Sequence, residues 1–228
     1  MEQFKNTFCV SLFKESKYNT SLKPNLLANL FQHSFKIECK FIAEDNGKEQ
    51  WIFSKQGITN SGVCIYDNKL YFRLATTSNN IDFVDFEMLQ IYDFEYRKEY
   101  SIIYEINIEN NIFTTSVNGN VKTSEIINKV SDYSNVPLWI GTSNPFLENK
   151  NYFNGTIFEF IVSNNDGIIT DLDFTNVNRF KVWDKSGNGN FAYIEEFMNK
   201  QIQIKLNKRI AGNSLETADI INIEKKLI

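Results

Sequence analysis

Three cysteines, three prolines, a single histidine and only ten glycines occur in 228 residues. That scarcity excludes collagen-like, proline-rich and Gly/Ser-linker classes. Cys9, Cys39 and Cys64 are odd in number, far apart and without a C-x-x-C pair, and His33 stands alone, so no zinc site is expected. The cysteines read as small buried hydrophobes. A basic excess is missing too: 24 Lys and Arg face 28 Asp and Glu, for a net charge of −4. Only Arg73, Arg97, Arg179 and Arg209 are arginines, which argues against nucleic acid as a partner. No apolar run approaches the roughly 18 residues of a membrane span, so no membrane insertion is expected. Met1-Glu2-Gln3-Phe4-Lys5 opens no signal-peptide pattern, so a conventional secretory precursor is not expected either. There is no G-x-S-x-G elbow to enlist His33 in a catalytic triad and no G-x-G-x-x-G phosphate loop.

What is present is aromatic: 20 Phe, 10 Tyr and 3 Trp, in a chain 42% hydrophobic and 23% charged. That composition suits a globular β-protein. The apolar period is two. Gly62 to Tyr66 and Leu70 to Thr76 form a hairpin around Asp67-Asn68-Lys69, with Leu70, Phe72 and Leu74 facing one way and Tyr71 and Arg73 the other. Ile102, Tyr104, Ile106 and Ile108 alternate with polar residues, turn at Glu109-Asn110-Asn111, and return through Phe113, Thr115 and Val117. Asn118-Gly119 then supplies the dipeptide that accepts positive φ at both central turn positions. Further strands are expected at Phe35 to Ile42, Gln50 to Lys55, Leu138 to Gly141, Thr156 to Ser163, Leu172 to Thr175, Lys181 to Trp183 and Ala192 to Glu195. Only Pro24 to Gln32 and Ser124 to Val130 could form helix. Short strands spaced in this way predict a sandwich or barrel over residues 1–196. Residues 197–228 read as an appendage, in which Ile202, Ile204 and Leu206 still present one apolar strand face.

Five segments in order resemble the laminin-G type of concanavalin A-like sandwich. Phe35-Lys36-Ile37-Glu38-Cys39 is similar to its early strand, Trp51-Ile52-Phe53-Ser54-Lys55-Gln56-Gly57 to its "I-F-S-K-G" segment, and Asp67-Asn68-Lys69-Leu70-Tyr71-Phe72 to its "D-G-K-L-x-F" hairpin. Asn118-Gly119 falls at its "V-N-G". Leu138-Trp139-Ile140-Gly141 with Phe153-Asn154-Gly155-Thr156-Ile157-Phe158-Glu159 resembles its closing strands. The element resembling "D-F … D-x-S-G-N-G-N", Asp171 to Phe174 and Trp183 to Asn190, usually opens such domains but here follows the last match. The resemblance thus implies an all-β, two-sheet antiparallel jelly roll, circularly permuted, with residues 171–194 completing the same sandwich.

The fold also hosts glucanases, whose strand motif sets three carboxylates on one face. Here Asp82, Asp85 and Glu87 break that spacing, since Asp82 points the other way, and no catalysis is expected. Two ligand chemistries stay open. Calcium wants loop carboxylates, amides and carbonyls, which Glu44-Asp45-Asn46-Gly47 and Asp184 to Asn190 could supply, with Asp45, Asp184 and Asn188 as candidate ligands. The alternative for both loops is that Asn and Gly simply make turns. Sugar would be held by aromatic faces, with Trp51, Trp139 and Trp183 as candidates; a place in the inter-sheet core is the competing fate of each. The resemblance therefore implies a lectin-like module binding a glycan or cell-surface polysaccharide. A virion structural protein, using the sandwich as a spacer and residues 197–228 to hold other chains, is the second expectation, and a glycosidase the third.

Overall fold

The computed structural model describes residues 10–12, 30–55, 61–77, 85–131, 138–143, 151–178, 181–190 and 192–194. They contain one 3-10 turn, Leu30–Gln32, fifteen strands and no α-helix. In chain order the strands are β1 (Val10–Leu12), β2 (Phe35–Ala43), β3 (Gln50–Lys55), β4 (Ser61–Tyr66) and β5 (Lys69–Thr77). Then come β6 (Asp85–Asp93), β7 (Glu99–Asn107), β8 (Ile112–Val117), β9 (Asn120–Glu125) and β10 (Lys129–Val130). The last are β11 (Leu138–Ile140), β12 (Gly155–Asn164), β13 (Gly167–Asn178), β14 (Lys181–Asp184) and β15 (Ala192–Ile194).

Hydrogen-bonded neighbours run β10-β5-β4-β3-β11-β1-β15-β14-β13-β12-β2-β7-β8-β9, and β6 pairs with β5. The ribbon doubles over into a front sheet around β6, β5, β4, β3 and β11 and a back sheet around β13, β12, β2, β7 and β8. Together they make an antiparallel jelly-roll sandwich. Phe53 of β3 crosses the gap between them, its ring 5.5 Å from that of Tyr104 on β7 and 5.7 Å from that of Phe160 on β12. Leu172 pairs with both Phe160 and Asp184, and Val10 with both Ile140 and Ile194. The segment Gly167 to Ile194 therefore joins the same sandwich, while β1, which the alternation does not announce, lies between β11 and β15.

The alternation in the sequence is the reason these strands exist. Phe35, Ile37, Cys39, Phe41 and Ala43 of β2 are buried, as are Tyr100, Ile102, Tyr104 and Ile106 of β7 and Leu70, Phe72 and Leu74 of β5. Each large side chain so removed from water contributes about 1.5–3 kcal/mol, several times an exposed ion pair. Turn chemistry sets the register. Asp67 and Asn68 have φ of 48° and 54°, and Asn118 and Gly119 of 50° and 83°, the two positive angles a two-residue hairpin requires.

Ser124 to Val130, which could have formed a helix, forms none. The chain there ends β9 and pairs Lys129 and Val130 with Thr77 and Thr76, while the Ile126 amide donates to Asn111 and that of Ser131 to Ala75. Sheet partners thus take up the backbone groups a helix would have satisfied internally. Of Pro24 to Gln32 only the 3-10 turn is described, and it tucks Leu30 and Phe31 into the core.

Candidate functional site

The two outer faces of the sandwich differ. On the back sheet, neighbouring charges are of opposite sign: Lys40 of β2 lies 3.0 Å from Glu159 of β12, Lys36 and Glu38 pair along β2, and Lys185, just past β14, lies 3.7 Å from Asp173 of β13. Such partly exposed pairs make a solvated face. On the front sheet, β3 is buried along its whole length and β4 from Ser61 to Ile65. Because successive side chains point to opposite sides, burial at every position means that both faces of these strands are covered.

Register places the outward residues of the front sheet in two rows. Trp51 pairs with Cys64, Cys64 with Tyr71 and Tyr71 with Ile91; Trp139 pairs with Ser54, Ser54 with Gly62, Gly62 with Arg73 and Arg73 with Leu89. Arg73 joins the rows. Its guanidinium carbon lies 5.3 Å from the Trp51 ring centroid and 5.7 Å from that of Tyr71, within cation–π range of both. Glu49, just ahead of β3, places Oε1 3.6 Å from Arg73 Nη2, and Asn151 Nδ2 donates to Glu49 Oε2 at 3.0 Å. On one flank Gly141, at φ 83°, turns the chain over the face, and Ser54 Oγ meets the carbonyls of Thr142 (2.8 Å) and Ser143 (2.7 Å). On the other flank Leu89 and Ile91 remain 47% and 41% exposed. A charged group held between rings, a carboxylate, an amide and open aliphatic surface therefore meet on one face.

Of the residues singled out by sequence, Trp51 and Trp139 are buried at 1% and 2% exposure and offer no ring face to a ligand; Trp51 is the floor under Arg73. Trp183 is 38% exposed, paired with Asp173 on the outer side of β14. Asp45, Asp184 and Asn188 are not brought together. Asp45 follows the end of β2 that pairs with Gly155, whereas Asn188 donates to the carbonyls of Ile168 and Ile169 at the opposite end of β13. Asp184 Oδ1 accepts from the amides of Asp171 (2.9 Å) and Ser186 (3.0 Å) and Oδ2 from that of Asn190 (2.9 Å); Asp45 Oδ1 accepts from that of Gly47. These carboxylates organise turns. Among the described residues no three Asp, Glu, His or Cys gather into a group that could hold a metal ion. His33 is exposed. The side chains of Asp85 and Glu87, together with Asp82 and residues 197–228, lie outside the described residues.

Arg73 is readable in the sequence as an outward residue of β5, but Glu49 and Asn151 are 102 positions apart and join it only through register. The rarity of arginine was the one available signal.

No protein-family model matches the chain, and no curated protein matches it in sequence. Solved structures do resemble it. The CBM40 of the Ruminococcus gnavus IT-sialidase is 15% identical, with 71% of this chain and 89% of that one covered and a TM-score of 0.50. A provisional carbohydrate-binding protein of Bacteroides ovatus is 12% identical over 84% of this chain and 59% of its own, with a TM-score of 0.55. Domains LG4-5 of the mouse laminin alpha1 chain are 16% identical, with 69% and 41% covered and a TM-score of 0.45. What these likenesses show is the fold, an antiparallel jelly-roll sandwich of the concanavalin A-like kind.

Proposed function

We propose that this chain is a non-catalytic glycan-recognition module whose ligand lies on the outer face of the front sheet. The observation that carries the reading is the Arg73 guanidinium set between Trp51 and Tyr71 with Glu49 beside it, next to the open Leu89 and Ile91. A sugar presents an apolar C–H face and a rim of hydroxyls. Tyr71, Leu89 and Ile91 suit the first, and Glu49, Asn151 and Arg73 the second. Two of the similar folds belong to carbohydrate-binding proteins, which supports the ligand class by analogy. The non-catalytic reading rests on the broken carboxylate spacing at Asp82, Asp85 and Glu87. Trp183, 38% exposed, lies on another part of the surface and serves as the comparison.

A glycan array followed by calorimetry tests this. Tyr71→Leu and Arg73→Gln should each weaken binding at least about tenfold, a loss of roughly 1.4 kcal/mol, at an unchanged melting temperature. Trp183→Ala should leave affinity intact. Absence of glycan binding, or binding indifferent to the first two changes, would overturn the reading. Display on a particle such as a virion through residues 197–228 belongs to the same proposal and rests on the alternation of Ile202, Ile204 and Leu206. A chain ending at Glu196 should keep its melting temperature and its glycan binding and lose assembly; unfolding, or assembly as before, would remove the attachment role.

A further inference from the structure

We propose that this face selects neutral, hydroxyl-rich sugars and discriminates against anionic ones, an inference that rests on the glycan-recognition reading above. Its basis is the acid beside the arginine. An isolated guanidinium would attract carboxylates, sulfates and phosphates. Here Glu49 Oε1 lies 3.6 Å from Arg73 Nη2, so the positive charge is already met, and the guanidinium is turned toward the rings of Trp51 and Tyr71.

Glu49 is itself held in place. Asn151 donates to Oε2, while Oε1, a buried atom, accepts no hydrogen bond among the described residues. A carboxylate oxygen can only accept, so the group suited to stand beside Glu49 is one that brings a donor. A sugar hydroxyl is such a donor; an anionic group brings only acceptors and meets Glu49 as a like charge. The Glu49 side chain as a whole is 27% exposed, so its negative charge is felt by a ligand at the surface even though Oε1 itself is buried. The chain's net charge of −4 adds a long-range bias in the same direction. Leu89 and Ile91, 47% and 41% exposed beside Arg73 and Tyr71, give the uncharged C–H face of such a sugar a place to rest.

The test uses the full chain and calorimetric titration with matched oligosaccharides, a neutral manno- or cello-hexaose against a hexagalacturonate, at low and high salt. Neutral ligands should bind at least tenfold tighter than the acidic one, with little salt dependence. Glu49→Gln, which keeps the shape but removes the charge, should shrink that ratio by raising affinity for the acidic ligand at low salt. Tighter binding of the hexagalacturonate by the unaltered chain overturns the inference while leaving glycan recognition standing, and needs no variant to fold. A ratio that Glu49→Gln does not change also overturns it. Failure of every oligosaccharide to bind, or binding unaffected by Tyr71→Leu and Arg73→Gln, instead removes the glycan reading from which the inference starts.

Discussion

Tyr104 on β7 donates its hydroxyl to the carbonyl oxygen of Arg73 on β5, 2.9 Å away, so the back sheet holds the backbone of the residue around which the front face is built. Burial pushes the Tyr104 hydroxyl well above the usual phenol range. Tyr104→Phe removes one cross-sheet hydrogen bond at nearly constant shape and should cost about 1–2 kcal/mol in urea unfolding. The folded state favours the protonated phenol, so its contribution is complete below the ordinary phenol value of about 10 and fades as the pH rises above it. The gap between the two proteins should therefore narrow above about pH 10.

Gly62 tests a backbone constraint. Its φ is 141°, and a Cβ built there would stand 2.2 Å from the carbonyl oxygen of Phe53. Gly62→Ala should destabilise by about 3 kcal/mol or more, because β3 and β4 must part to admit one methyl group. Gly187→Ala is the comparison: φ is 81° but nothing lies within 4 Å, so only the conformational cost of about 1 kcal/mol is expected. Equal midpoints for the two in thermal unfolding would refute the close-approach argument.

Asp184 should behave as a turn organiser. Three backbone amides donate to its carboxylate, so Asp184→Ala should lower stability by about 2–3 kcal/mol and speed hydrogen exchange at Asp171, Ser186 and Asn190. Calcium or EDTA should leave the melting temperature of the unaltered chain where it was. A calcium-dependent rise would show that those oxygens take a metal instead.

The thiols of Cys39 and Cys64 are buried. Burial, and secondarily the charge of Glu159, pushes the Cys39 thiol far above its ordinary value, which suppresses the reactive thiolate. In a Cys9→Ser chain, Ellman's reagent should find no thiol under native conditions and two in guanidinium. A native thiol that reacts at the rate of a free cysteine would contradict this placement.

Most of the fold was legible because its signals are local. Gln50 to Lys55 matches β3 end to end, and Asp67-Asn68 and Asn118-Gly119 announce their turns through angles that few other residue pairs accept. β1 was hidden because Val10, Ser11 and Leu12 are too few to show a period, and the strand exists only through its partners β11 and β15. The candidate face was hidden for a related reason. Alternation tells that Tyr71 and Arg73 share a side, but which strand lies next, and in what register, depends on pairing between distant segments. The tryptophans show the same limit: Trp51 and Trp183 carry identical chemistry, yet one is a floor and the other a surface.

The meeting of β6 with β9 bears on how these molecules tolerate crowding. Lys122 reaches across to the carbonyl of Ile91, its ammonium 4.1 Å from the Tyr92 ring centroid, and Gln90 donates to Ser124 beside it. Two margins that could each template a foreign strand are thereby turned toward one another and locked by a charge. Packed densely on any support, neighbouring copies would find no seam there into which to graft a strand. Copies held close together would not seed fibrils along that side.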